Sequence, residues 1–110
     1  MDRMDRMDEQ GILVMTVWFK QGVMGELVPK AQKGLGRVAK LYHRKKLDLY
    51  VTCIRESNHL PGSFHYIGRA FDIRARGVSK EEILKALGVG WDVIYYTRYR
   101  IFHCELDDGT

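Results

Sequence analysis

The sequence predicts an α+β domain, a small antiparallel sheet with flanking helices. Two observations predict it. Strand-like runs come in pairs, "LDLYVTC" with "GRAFDIRA" and "WDVIYYT" with "RIFHCEL". A segment of helical spacing precedes each pair, one after Val28 and one after Ser79. Paired strands separated by helices belong to the α+β class rather than to an alternating parallel sheet. The chain has 110 residues, enough for one core and not two. We expect residues 1–10 as a flexible tail and residues 11–110 as a single domain.

The elements follow in chain order. "MDRMDRMD" is a short polar repeat and reads as a loose tail or a frayed helical turn. Residues 12–19 are β-branched and aromatic and read as a strand. From Val28 to Lys46, Ala31, Leu35, Val38, Ala39 and Tyr42 fall on one helical face. Pro29 suits the first turn of that helix. Gly34 and Gly36 weaken its middle and predict a bend or a break. "HRKK" at 43–46 reads as a solvated helix end, where cations sit well. In "LDLYVTC", Leu49, Val51 and Cys53 oppose Tyr50 and Thr52. "ESNHLPGS" is a loop of turn formers. "SKEE" is a capping box, with Ser79 as N-cap and Glu82 three residues on. The short helix behind it carries Ile83, Leu84 and Leu87 and stops near Gly88. The last two strands meet in a tight turn near Arg98 and Tyr99.

Composition bounds the partners. Eighteen Lys and Arg against fourteen Asp and Glu give a mild positive excess. That favours anionic partners only weakly, and the scattered bases do not predict a nucleic-acid surface. The longest early apolar run, "ILVMTVWF", is too short to span a bilayer. The mixed charges before it make a poor signal peptide, so a cytoplasmic location is expected as synthesised. Cys53 and Cys104 form no disulfide framework and no zinc-finger spacing. They read as two small, half-buried thiols, bridged only if their strands meet.

The segment "SFHYIGRAFD", Ser63 to Asp72, carries the chemistry. As a strand, "GRAFDI" puts Gly68, Ala70 and Asp72 on one side and Arg69, Phe71 and Ile73 on the other. Phe71 and Ile73 are natural core residues. The carboxylate of Asp72 then stands beside the smallest side chains, with room for a metal and a substrate. The plain alternative is that Gly and Ala merely allow close packing. His65 precedes this strand and His103 lies in "RIFHCEL". Two imidazoles and one carboxylate make a zinc set of the catalytic kind, with the fourth position open. Other divalent ions also accept these donors.

These residues resemble a known family. "SFHYIGRAFD" has the form Ser-x-His-x-x-Gly-x-Ala-x-Asp and looks like the signature of the zinc D-Ala-D-Ala peptidases, which include phage endolysin peptidases and share a fold with the Hedgehog signalling domain. "YVTCIRE" is similar to the family strand that ends in Arg, here Arg55. "VIYYTRYRIFHCEL" resembles the paired strands that carry the last ligand. The resemblance covers roughly residues 30 to 107. It implies His65, Asp72 and His103 as Zn2+ ligands. It implies Ser63 as an orienting hydrogen-bonding group and Arg55 as the holder of a substrate carboxylate or carbonyl, a role suited to its planar fork. The implied substrates are peptidoglycan stem peptides or D-Ala-terminated peptides, and the implied source is a phage protein released at lysis or carried in a virion.

The family's general base is missing. The three usual positions hold Thr97, Arg100 and Ile101. Substitutes are Glu105, two residues from His103 on the same strand face, with Glu56 and His59 in the loop. Arg100 is an alternative electrostatic aid to an oxyanion. Metal ligands without a base leave two expectations: a zinc metallopeptidase of the D-Ala-D-Ala carboxypeptidase or endolysin type, or an inactive zinc-binding relative with a binding or structural role.

Overall fold

A computed structural model describes residues 2–7, 13–20, 27–54 and 68–107, with side chains described for 17–20, 27–54 and 68–107. The order of elements is β1 (Asp2–Met7), β2 (Leu13–Phe19), α1 (Pro29–Arg44), β3 (Leu49–Cys53), β4 (Ala70–Arg74), α2 (Lys80–Leu87), β5 (Trp91–Tyr96) and β6 (Ile101–Leu106). The expected order of helix and paired strands holds, with two further strands ahead of it. The sheet runs β1-β2-β3-β4-β6-β5.

Two expectations about the strands are corrected. The sheet is mixed rather than antiparallel, because β2 and β3 pair in parallel through Val17–Leu49, Trp18–Tyr50 and Phe19–Val51. α1 lies between these two strands in the chain and supplies the long crossover that parallel pairing requires. Residues 2–7, read as a tail or a helical turn, form β1 and pair antiparallel with β2. A repeat of three cannot match a strand period of two, so "MDRMDRM" carries no alternation to announce a strand.

α1 forms where its apolar face predicts it. Pro29 stands at its first position, and the N–H of Val28 donates to the Gly68 carbonyl at 3.0 Å, which ties the helix start to the approach of β4. Ala31, Val38, Ala39, Leu41 and Tyr42 are buried, and Leu35 packs against the core. The helix runs unbroken through Gly34 and Gly36, against the expected break. Gly34 is a packing device, since a Cβ there would lie 2.4 Å from the Trp91 ring. Trp91 packs in turn on Phe71, with ring centroids 5.5 Å apart.

α2 opens as predicted. The Ser79 hydroxyl accepts from the Glu82 N–H at 3.1 Å, and the Glu82 carboxylate accepts from the Ser79 N–H at 3.0 Å. Arg37 of α1 closes the other end by donating to the carbonyls of Ala86 and Leu87. The "HRKK" end of α1 is exposed, and Lys45 reaches Glu82 at 2.7 Å.

Both helices cover one face of the sheet. Leu49, Val51, Phe71, Ile73, Phe102 and Cys104 are fully or almost fully buried in one core with Val38, Tyr42 and Ile83. Tyr42 crosses that core and donates to the Arg74 carbonyl at 2.7 Å. Burial raises its phenol pKa well above the ordinary value. The opposite face carries the alternate residues: Tyr50, Thr52, Asp72, Arg74, His103, Glu105, Ile94 and Tyr96.

Candidate metal and acid–base site

β4 and β6 are antiparallel neighbours in the interior of the sheet, with Asp72 directly opposite His103 and Ala70 opposite Glu105. Alternation sends Phe71 and Ile73 into the core and leaves Asp72 and His103 on the helix-free face. The His103 ring lies between two carboxylates. Its Nδ1 is 2.7 Å from Asp72 Oδ1, and its Nε2 is 2.5 Å from Glu105 Oε1. His103 is 7% exposed. Both carboxylates keep partial access to solvent. Tyr96 of β5 meets the ring edge-on, with centroids 6.3 Å apart.

Both ring nitrogens face carboxylate oxygens, so the metal-free ring is best satisfied as an imidazolium that donates twice. Burial alone lowers the His103 pKa. The hydrogen bonds to Asp72 and Glu105, with their negative charges, outweigh it and raise the pKa above the usual 6.5. Once the Nδ1 proton is lost, that nitrogen and Asp72 Oδ1, 2.7 Å apart, are two neighbouring electron-pair donors. Glu105 then accepts from Nε2–H and fixes the tautomer. A carboxylate on the far nitrogen is the usual companion of a metal-ligating histidine. An imidazole nitrogen and a carboxylate oxygen are donor types that zinc accepts.

The structure brings together two of the three expected ligands. His65 lies outside the described residues, as do Arg55, Ser63, Glu56 and His59. Among the described residues no group of three His, Cys, Asp or Glu side chains is placed to hold a metal ion. Asp72 and Glu105 cannot share an ion with His103, because they occupy opposite nitrogens of its ring. Glu105, expected as a substitute base, is instead engaged on the His103 ring.

The three usual base positions lie at the β5–β6 turn. Thr97 and Arg100 are exposed in the β5–β6 turn, and Ile101 begins β6. Arg100 has φ 52°, a left-handed conformation, and its carbonyl accepts from the Ala75 N–H. Sequence reading did not find the contacts that complete the site's surroundings. Cys53 of β3 pairs with Asp72 next to a register shift. Cys53 and Cys104 lie on β3 and β6, kept apart by β4, and are not bridged; both are buried rather than half-buried. The signal for Tyr96 and Ile94 lay in strand parity, but β5 register cannot be read without its partner.

Among the described residues no helix is long and apolar enough to cross a membrane. Compared with protein families, with curated proteins and with solved structures, the chain matches none.

Proposed function

We propose that the chain is a zinc metallopeptidase-like protein of the D-Ala-D-Ala peptidase and Hedgehog fold group, directed at D-Ala-terminated or peptidoglycan stem peptides. The observation that supports it most is the Asp72–His103 pair with Glu105 on the far ring nitrogen. Asp72 and His103 Nδ1 would hold the ion, with His65 as the third ligand by the family resemblance. When bound, zinc polarises a peptide carbonyl and brings the pKa of water toward neutrality. Glu105 orients His103 and keeps its Nε2 protonated. Arg55 would hold the substrate carboxylate, and His59 or Glu56 would take up a proton. The chain would be cytoplasmic as synthesised, with release at lysis or carriage in a virion as its route to the cell wall.

A second reading is a zinc-binding relative without hydrolytic activity, serving as a binding or structural protein. One observation favours it. Glu105 is spent on His103, and Thr97, Arg100 and Ile101 offer no base.

Metal analysis of protein purified without chelators separates these readings. Wild type should carry one zinc per chain, and His65→Ala, Asp72→Ala and His103→Ala should lose it. Glu105→Gln should retain it with affinity lowered by roughly 10- to 100-fold, the cost of losing a carboxylate behind a ligating histidine. Wild type without stoichiometric zinc would sink both readings. Zinc with no release of D-alanine and no cleavage of muropeptides would select the second.

A further inference from the structure

Beyond the Asp72–His103 pair, the helix-free face holds a groove of about 590 Å³ lined by Lys20, Thr52, Arg74, Arg76, Tyr99 and Arg100, among others; among the described residues no carboxylate lines it. That volume lies in the range of small-molecule sites. Arg74 and Arg76 both stand over the Tyr50 ring, at 5.0 and 4.9 Å from its centroid. Gathering two guanidiniums on one ring beside a lysine and a third guanidinium costs electrostatic repulsion. Among the described residues none of the four pairs with an acidic side chain. Arg100, which lines the groove, has a left-handed φ of 52°, and its carbonyl accepts from the Ala75 N–H.

We propose that this groove is a binding site for a compact ligand bearing two or more oxyanions, carboxylates or phosphates. Forked guanidinium donors match such groups in charge and in geometry. A single-stranded nucleic acid fits less well. Tyr50, the ring at the centre of the cluster, already carries two guanidiniums and stacks with Trp18, so it is closed to a base. The proposal does not depend on zinc.

Calorimetry on the full chain, freed of metal and titrated with inorganic pyrophosphate and with citrate, tests it. At least one probe should bind saturably, and raised salt should weaken it. Arg74→Gln and Arg76→Gln should each weaken binding by roughly tenfold, as loss of a charge-assisted bond does. Arg76→Lys should retain part of the affinity, and Lys33→Gln on the exposed side of α1 should change nothing. The tighter probe identifies phosphate or carboxylate as the source. No saturable binding of either probe overturns the proposal. So does binding indifferent to Arg74 and Arg76 in variants shown folded by circular dichroism, or a preference for oligothymidylate over both probes.

Discussion

At the scale of single residues, two glycines in one helix do opposite things. Gly34 lies where a Cβ would strike the Trp91 ring at 2.4 Å, while a Cβ on Gly36 would meet nothing within 4 Å. Helix propensity favours Ala over Gly by about 1 kcal/mol at both positions. At Gly36 that gain stands alone, so Gly36→Ala should stabilise the fold by about 0.5–1 kcal/mol. At Gly34 the Trp91 ring, packed on Phe71, has to shift, and overpacking of this kind costs about 1–3 kcal/mol. Gly34→Ala should therefore destabilise. Urea midpoints of the two variants decide it, and equal midpoints would refute the packing role of Gly34. The sequence showed two helix-weakening residues and could not distinguish them. The distinction depends on a tryptophan fifty-seven positions away in the chain (Gly34 to Trp91).

At the scale of elements, what was legible is what local chemistry determines. The capping box of α2 was plain in "SKEE" because its partners lie three residues apart. The apolar face of α1 and the shared strand face of Leu49, Val51 and Cys53 were plain because each follows from one period. The parallel β2–β3 pair was hidden, because pairing direction depends on where α1 carries the chain. The site was half legible. Asp72 and His103 were singled out by strand parity and donor type and again by the family resemblance, and proved to be cross-strand neighbours, whereas the engagement of Glu105 needed the β6 rotamer. The α2 cap gives a sharp test. Ser79→Ala should cost about 1 kcal/mol. Glu82 has a lowered pKa, chiefly through its hydrogen bond with Lys45 and then that with the Ser79 N–H. A group with a depressed folded pKa stabilises above its unfolded value, near 4.5, and loses that contribution as pH falls through the folded value. The stability gap between wild type and Glu82→Gln should then close in acid. A gap that persists at the acid limit would show that the carboxylate charge plays no part in the cap.

At the scale of the whole molecule, the Asp72–His103 pair clamps β4 to β6 in the interior of the sheet, so whatever cation sits between them reports on global stability. Without metal that cation is the Nδ1 proton. The folded pKa of His103 is raised, so its contribution is complete below the unfolded value near 6.5 and is lost as pH rises through the folded value. Zinc competes with the same proton. Under the proposed function its stabilising increment should grow with pH up to the folded pKa and level off above it, because the site must lose that proton to bind. At a free zinc concentration a hundredfold above the dissociation constant the increment is about 2.7 kcal/mol. Denaturant melts across this pH window, with and without zinc, should thus show opposite trends: the metal-free protein weakens as pH rises, and the zinc increment strengthens. His103→Gln should abolish both trends, which excludes His43 and the other histidines as their source. A zinc increment independent of pH, or one that survives His103→Gln, would place the ion elsewhere and remove the main support for reading this face as a metal site.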